Sequence, residues 1–252
     1  MEVHSHQHSE RKRWNHYLWE FLMLFLAVFA GFVAENLREN VTERKREKKY
    51  IESLVSDLKK DTAEIRKVSK LGFKLAAGQD TLIDLLNDST DTGNISHKCY
   101  HYFFLYTTSY VLVEFNERTI SQLLNAGNMR LIEKAGISDS IMDYNFIVKN
   151  VQEEAKAYED YFKKTLDLSG SIFDFTYARV DLHENYTMTP KIQKRKMDFK
   201  LLTTDPAIIK RYAIELSLVK GILEAYIISI KEAKDKAVSL IALLKTKYHL
   251  QE

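Results

Sequence analysis

Histidine and cysteine are the residues of this chain best suited to binding a metal. His4, His6 and His8 alternate in the N-terminal segment HSHQH. A tail of this kind can bind a divalent cation through its imidazole nitrogens. It fixes no geometry for those ligands, so the sequence favours a solvated tail over a metal site.

A second group combines His97, Cys99 and His101, whose two histidines would share one helical face. Zinc sites need three or four ligands, and no second cluster of matching spacing follows, so we favour a structural role. His183-Glu184 lacks the second histidine of a zincin motif. Glu-x-x-His pairs, glycine-rich phosphate loops and a serine nucleophile elbow are also missing from the sequence. We therefore predict a non-enzymatic protein with no catalytic residue and no cofactor.

The strongest pattern in the chain is the uncharged run from Phe21 to Ala34. A helix from Tyr17 to Leu37 would be about 31 Å long, close to the roughly 30 Å of a bilayer hydrocarbon core. Glu20 and Glu35 fall near its ends, where a carboxylate can reach the interface. Three aromatic residues are predicted interfacial anchors: Trp14, Tyr17 and Trp19. The sequence thus predicts a transmembrane helix over residues 17–37 and the lipid bilayer as a partner.

A cleaved signal peptide is the alternative interpretation, with Val28-Phe29-Ala30 as an acceptable cleavage tripeptide. The helical pattern continues through that site, which favours a retained anchor. Counting basic residues on the two sides of the segment places the large domain in the cytoplasm. A short basic tail before one apolar run is instead the usual form of a signal anchor. We expect the signal-anchor form, which leaves the tail in the cytoplasm and exports the large domain.

Small residues share one face of the predicted membrane helix. Ala27, Ala30, Gly31 and Ala34 are spaced by three and four residues, and Glu20 projects from nearly the same face. Small residues at this spacing allow two membrane helices to approach closely. The competing explanation is that such residues are simply common in membrane helices. We predict a membrane-helix association face and a homo-oligomer.

The remaining chain predicts an all-α fold, in which the membrane helix continues into a long-helix antiparallel bundle with coiled-coil-like packing. Its domains are a basic, His-rich tail (1–16), the transmembrane helix (17–37), a charged juxtamembrane helix (38–49) and the bundle (50–252). Three segments carry a three-four alternation of mainly apolar residues. The first has Ile51, Leu54, Leu58, Asp61, Ile65, Val68, Gly72, Leu75, Gln79, Leu82 and Leu86. The second has Ile141, Tyr144, Val148, Val151, Ala155, Tyr158 and Phe162. The third has Ile209, Tyr212, Leu216, Val219, Leu223, Tyr226, Ile230, Ala233, Ala237, Leu240 and Leu244.

Shorter pieces join these helices. Tyr100 to Phe115 is interpreted as a buried helix, although its aromatic and β-branched residues also suit a strand. Asn116 is expected to cap a short helix over Glu117 to Leu124. Residues 87–96 and 168–204 are predicted loops, and the role of 169–204 is open. Asp205 and Pro206 suit the start of the last helix.

Composition excludes one class of partner. The chain carries 37 basic and 35 acidic residues, a net charge of +2, and no basic stripe. This balance predicts no binding to nucleic acid. The lone cysteine excludes an internal disulfide.

The segment EFLMLFLAVFAGFVAEN, within Trp14 to Asp61, resembles the N-terminal signature of a domain-of-unknown-function family of small bacterial membrane proteins common in Bacteroidota. NERTISQLLNAGNMRLI is a weaker match to the same family. The resemblance implies a bacterial inner-membrane protein of similar size with one span, so an exported domain would lie on the periplasmic side. It implies no activity, ligand or catalytic residue.

Together these patterns predict a membrane-anchored helical scaffold that binds itself and an unknown membrane or envelope protein. One alternative is a membrane-anchored sensor whose ligand pocket is lined by Tyr100 to Phe115 or by residues 169–204. The other alternative is a pore or ion-coupled component that uses Glu20.

Overall fold

The computed structural model describes residues 14–88, 92–125, 127–182, 188–192 and 199–250, and most of these are helical. Its helices and strands, in chain order, are α1 (Trp14–Asn87), α2 (Thr92–Tyr106), α3 (Arg118–Asn125), α4 (Ile137–Ser169), β1 (Ala178–Leu182), β2 (Met188–Ile192) and α5 (Pro206–Tyr248). Two 3-10 turns cover Asn128–Leu131 and Phe175–Tyr177. The prediction of a helical protein with one long apolar helix near its N-terminus is confirmed.

The chain divides into two compact units, Met1–Tyr50 and Ile51–Glu252. Helix α1 contributes residues to both, because its backbone is helical without interruption from Trp14 to Asn87. Both prolines of the chain lie outside this helix, so no residue in it lacks the amide hydrogen that helical bonding needs. The charged residues 38–49 are therefore part of one continuous helix.

In the second unit, the positions predicted from the three-four alternation form the core. All of those on α1 are buried except Leu86, all of those on α4 except Ala155, and all of those on α5 except Ile209. Burial of an apolar side chain of this size contributes about 1.5–3 kcal/mol relative to leaving it in water. The sequence therefore predicted correctly which face of each helix is buried.

A second cluster of the core is built mainly from aromatic side chains. It joins α2 to the segment after α4 and to the start of α5, and its fully buried aromatic members are Tyr100, Phe103, Phe173 and Tyr212. The rings of Phe103 and Phe173 stack face to face, with centroids 4.1 Å apart. This stacking shows why the aromatic run in α2 lies inside the fold.

The predicted helix over Tyr100 to Phe115 is wrong beyond Tyr106, where α2 ends. At this end the hydroxyl of Thr107 donates to the carbonyl oxygen of Phe103 at 2.8 Å. Threonine hydroxyls that bond to the backbone compete with helical hydrogen bonds, and β-branched residues are stiff in a helix. The chain then continues without helix or strand until α3.

The loop predicted for residues 168–204 is also partly wrong, because β1 and β2 pair there as an antiparallel hairpin. Pro190 of β2 lies opposite Val180 of β1. A proline is tolerated here because both strands of a two-stranded hairpin are edge strands. The predicted loop 87–96 is shorter than expected, since α2 already begins at Thr92.

Helix α5 begins as the sequence predicts. The Asp205 carboxylate accepts a hydrogen bond from the backbone N–H of Ala207 at 2.8 Å, and Pro206 occupies the first turn. The side-chain cap and the proline both favour a helix start at this point. The turn after α3 contains Gly127 with a φ of 63°, a conformation that glycine adopts without strain.

Candidate functional site

The predicted membrane segment lies in the N-terminal part of α1, and its side chains are exposed. Leu24 and Phe32 each expose 68% of their surface, and no described residue from 17 to 37 is buried. This part of α1 is long and apolar enough to cross a membrane, by length and composition. A soluble domain rarely exposes so large a contiguous apolar surface.

Polar and aromatic residues occupy the two ends of this segment. Trp14 and Trp19 are 88% and 64% exposed, and the interfacial position predicted for them and for Tyr17 stays a prediction. Glu20 lies 3.8 Å from the Nδ1 atom of His16. At the other end, both carboxylate oxygens of Glu35 accept hydrogen bonds from Arg38, at 2.5 and 3.0 Å. An arginine partner reduces the cost of placing that carboxylate near lipid.

The predicted association face is unobstructed within the described residues. Each of its members is exposed, and the members are Glu20, Ala27, Ala30, Gly31 and Ala34. A Cβ atom added to Gly31 would meet no atom within 4 Å. Phe21, Phe25 and Phe29 stack along a different face, with ring centroids 6.4 and 6.1 Å apart. The helix thus has one face of small residues and one of phenylalanine rings.

The candidate metal ligands of α2 face different surroundings. His97 and His101 are both exposed. The His97 ring packs against Phe199 with the ring centroids 5.0 Å apart, and the His101 ring packs against Tyr102 with the centroids 5.5 Å apart. Cys99 is a free thiol buried in the aromatic cluster, and burial raises its pKa to about 11. Among the described residues, no three His, Cys, Asp or Glu side chains are grouped to hold a metal ion. His4, His6 and His8 lie outside the described residues.

A polar site that sequence reasoning missed lies inside the core, at two carboxylates one helical turn apart on α1. Asp57 and Asp61, here called the acidic clasp, are each 2% exposed. Asp57 accepts a hydrogen bond from the hydroxyl of Thr119 at 2.5 Å and pairs with the Arg118 guanidinium at 3.3 Å. This carboxylate therefore holds the first turn of α3 against α1.

Asp61 makes three further contacts. One of its oxygens accepts hydrogen bonds from the backbone N–H of Asn116 at 2.8 Å and from its side-chain amide at 2.7 Å. The other accepts from the Tyr144 hydroxyl of α4 at 2.7 Å. Burial and the nearby Asp61 charge raise the pKa of Tyr144, so its hydroxyl stays protonated and donates. Asp61 was noticed in the sequence only as a break in the apolar alternation, and that break was the available signal.

The hydroxyls of buried tyrosines also join separate segments elsewhere in the core, by hydrogen bonds to backbone groups. The Tyr226 hydroxyl accepts a hydrogen bond from the backbone N–H of Val113 at 2.8 Å. The Tyr100 hydroxyl accepts from the N–H of Asp174 at 2.7 Å and donates to the carbonyl of Lys200 at 3.0 Å. Burial raises the pKa of Tyr100 to about 12. These neutral hydroxyls satisfy backbone groups of irregular segments that cross the helices.

The chain matches no protein-family model, no curated protein and no solved structure. The resemblance of EFLMLFLAVFAGFVAEN to a family of small membrane proteins therefore stays a prediction.

Proposed function

We propose that the chain is a non-enzymatic, membrane-anchored helical scaffold that acts through protein contacts. Residues 17–37 would lie in a bilayer, and the unit from Ile51 onward would present its surface to partners. The observation that carries this proposal is the contrast between an apolar segment without any buried side chain and a second unit with a well-filled core. Exposed apolar surface of this extent is stable in lipid and costly in water.

Membrane fractionation tests the anchor. We expect the full-length chain to stay with the membranes through alkaline carbonate extraction and to require detergent for release. The mass of the membrane-bound chain is measured in the same sample, because loss of about 30 N-terminal residues would reveal a cleaved signal peptide. An intact chain found free in the soluble fraction would overturn the proposal.

Self-association through the small-residue face is the second part of the proposal. The open space at Gly31 supports it, since no contact among the described residues requires a glycine there. We expect Gly31→Leu to abolish crosslinking of anchors in membranes. Val33→Leu is the matched control, because it adds an apolar leucine away from that face. Equal crosslinking of both variants and the parent chain would argue against the face.

We further propose that the second unit is an antiparallel bundle with coiled-coil-like packing. Contacts between α1 and α5 support it: Ile227 packs where Gly72 leaves room, and Lys220 bonds Asp80 at 2.7 Å. Further along, Lys210 bonds Asn87 at 3.0 Å. Residue numbers rise along α1 as they fall along α5, which is the pattern of two antiparallel helices.

We place the protein in the bacterial inner membrane with the bundle on the periplasmic side, as a signal anchor would orient it. The exposed, small residue Ala157 of α4 offers a labelling site. In intact spheroplasts, a membrane-impermeant maleimide should label Ala157→Cys as fully as it does after lysis. Labelling only after lysis would reverse the orientation without affecting the anchor.

Contacts in the core support a scaffold over a ligand sensor. Tyr100 and Phe103, predicted to line a pocket in the sensor alternative, are buried and in ring contact with other aromatic side chains. The carboxylates of Asp57 and Asp61 accept hydrogen bonds from α3, from the segment before it and from α4. We therefore propose protein partners rather than a small ligand: a second copy of the chain and a membrane or envelope protein.

A further inference from the structure

Helix α5 carries a second apolar face that the described residues leave uncovered. It consists of Ile214, Leu218, Gly221, Ala225 and Ile228, here called the outer face of α5. The spacing is four, three, four and three residues, the spacing of a helix that packs against another helix. All five residues are exposed, with Ile214 at 59% and Ile228 at 69%. Large apolar side chains at such spacing indicate a surface for a second helix.

Gly221 is the residue of this face that the chain's own packing does not explain. A Cβ atom there would meet nothing within 4 Å. At Gly72 and Gly78 of α1, by contrast, a Cβ atom would lie 2.8 Å from Ile227 and 2.1 Å from Tyr106. A glycine inside a helix lowers helix stability relative to alanine. Its presence on an open apolar face favours close approach of another helix.

Opposite charges bound the outer face of α5. Arg211 precedes Ile214 by three residues and Glu232 follows Ile228 by four, so both continue the same spacing. Both are exposed. Neither forms an ion pair within the part of the chain that the structure describes. The face is therefore positive at its N-terminal end and negative at its C-terminal end.

We propose that the outer face of α5 binds the same face of a second copy of this chain in antiparallel orientation. About a centre at Gly221, Ile214 then meets Ile228 of the second copy, and Leu218 meets Ala225. Arg211 meets Glu232 at both ends. A parallel arrangement would place each of these charges against its own equivalent, which is unfavourable. Charge complementarity thus selects both the occupant and its direction.

The size of the face makes this a weak contact that depends on crowding. Its five residues span about 21 Å of helix, which is less than a standard stable interface requires. Attachment of many copies to one surface raises the effective concentration and compensates for low affinity. The inference therefore rests on the membrane anchoring proposed above.

Cysteine crosslinking of the full-length chain in membranes tests the pairing. The native Cys99 is buried, so an added surface cysteine is the reactive one. We expect Gly221→Cys to form a disulfide between two copies. Leu218→Cys should crosslink with Ala225→Cys when the two variants are mixed, and not with itself. Crosslinking of Leu218→Cys with itself would establish a parallel pair and overturn the proposal. An unreactive Gly221→Cys would show that another part of the same chain covers the face, which also overturns it.

Phosphatidylcholine vesicles bearing the full-length chain test the charge pairing by the same crosslinking. Gly221→Cys should crosslink, whereas Ala157→Cys, exposed on α4, should stay uncrosslinked at the same chain density. Arg211→Glu should raise the chain density needed for crosslinking of Gly221→Cys about tenfold, and Arg211→Glu combined with Glu232→Arg should restore it. Equal crosslinking of Gly221→Cys and Ala157→Cys in anchored chains would overturn this inference alone. Chains that never enter the vesicles would overturn the proposed anchor.

Discussion

Two stretches of helix α1 contain similar apolar residues, which are exposed in one stretch and buried in the other. Between residues 17 and 37 the large apolar side chains are 39–68% exposed. Between residues 51 and 82 the apolar members of the three-four alternation are 0–8% exposed. The second stretch is covered inside the fold, whereas no described residue covers the first. This difference supports the proposed membrane anchor more directly than composition does.

Exceptions to the apolar pattern differ between the stretches in the same way. In the buried stretch, Asp61 accepts hydrogen bonds from α4 and the segment before α3, and Gly72 makes room for Ile227. The Nε2 atom of Gln79 donates to the carbonyl oxygen of Tyr106 at 3.1 Å. In the exposed stretch, no described residue approaches Gly31 in this way, and the small residues around it are exposed. Unexplained small residues therefore identify surfaces where we expect a second chain.

Removing the buried carboxylate of Asp61 is the largest predicted effect. Asp61→Ala leaves two N–H groups and the Tyr144 hydroxyl without an acceptor in the core. We expect the free energy of unfolding to fall by about 3–5 kcal/mol. Chemical denaturation of the full-length chain in mild detergent, followed by circular dichroism, measures it.

Glu64→Ala is the matched control one turn away. Glu64 pairs with Lys67 at 3.4 Å on the surface, so its loss should cost less than about 1 kcal/mol. Similar losses for both variants would mean that the acidic clasp contributes no more than a surface ion pair. The buried Asp61 would then contribute no more to stability than an exposed acidic residue.

The burial of Cys99 predicts a loss of stability in alkaline solution. Burial raises the pKa of its thiol from 9.0 to about 11. Between these two pKa values the folded state keeps the proton while the unfolded chain releases it. The thiol's contribution to the free energy of unfolding is therefore constant below pH 9 and is lost as the pH rises from 9 to 11. Linkage gives a loss of up to about 2–3 kcal/mol over that interval.

Comparison with Cys99→Ala isolates this effect, because both proteins keep the buried tyrosines whose pKa values burial also raises. Between pH 9 and 11, the free energy of unfolding should fall more for the parent chain than for Cys99→Ala. Parallel curves for the two proteins would contradict the assigned burial. The prediction sharpens the contrast with the exposed stretch, where no side chain is shielded in this way.

Sequence periodicity predicted the buried faces of α1, α4 and α5 well, because apolar spacing records directly which side of a helix is covered. The start of α5 was equally clear, since a capping aspartate and a proline act locally. The end of α2 was not, because Tyr100 to Phe115 is apolar whether it is helix or extended chain. Its conformation is decided by distant partners such as Tyr226, which bonds Val113.

The acidic clasp shows the same limit for the candidate site. An aspartate at a core position of α1 was visible, but its partners Asn116 and Tyr144 are 55 and 83 residues away. Asp57 gave no signal, because it falls outside the apolar alternation. Propensity alone did not reveal the pairing of β1 with β2, since both strands are short and one contains Pro190.

Gly78 offers a smaller effect that depends on internal packing. A Cβ atom there would lie 2.1 Å from the ring of Tyr106, which itself packs on Tyr102 at 5.6 Å. We expect Gly78→Ala to lower the free energy of unfolding by about 1–3 kcal/mol through overpacking. Combining it with Tyr106→Leu should recover part of that loss. Strict additivity of the two substitutions would show that the ring does not require the glycine.

The smallest predicted effect has the opposite sign and belongs to Gly221. Alanine at that position meets no neighbouring atom, and alanine favours a helix over glycine by about 1 kcal/mol. Gly221→Ala should therefore raise the free energy of unfolding by up to that amount, measured at low protein density where copies are separate. Ala157→Gly, an exposed site on α4, should lower it by a similar amount. A loss of stability in Gly221→Ala would mean that the chain's own fold needs this glycine, as it needs Gly78. The outer face of α5 would then belong to the internal packing of the bundle. Gly221 would no longer be comparable to Gly31, where a Cβ atom has open space.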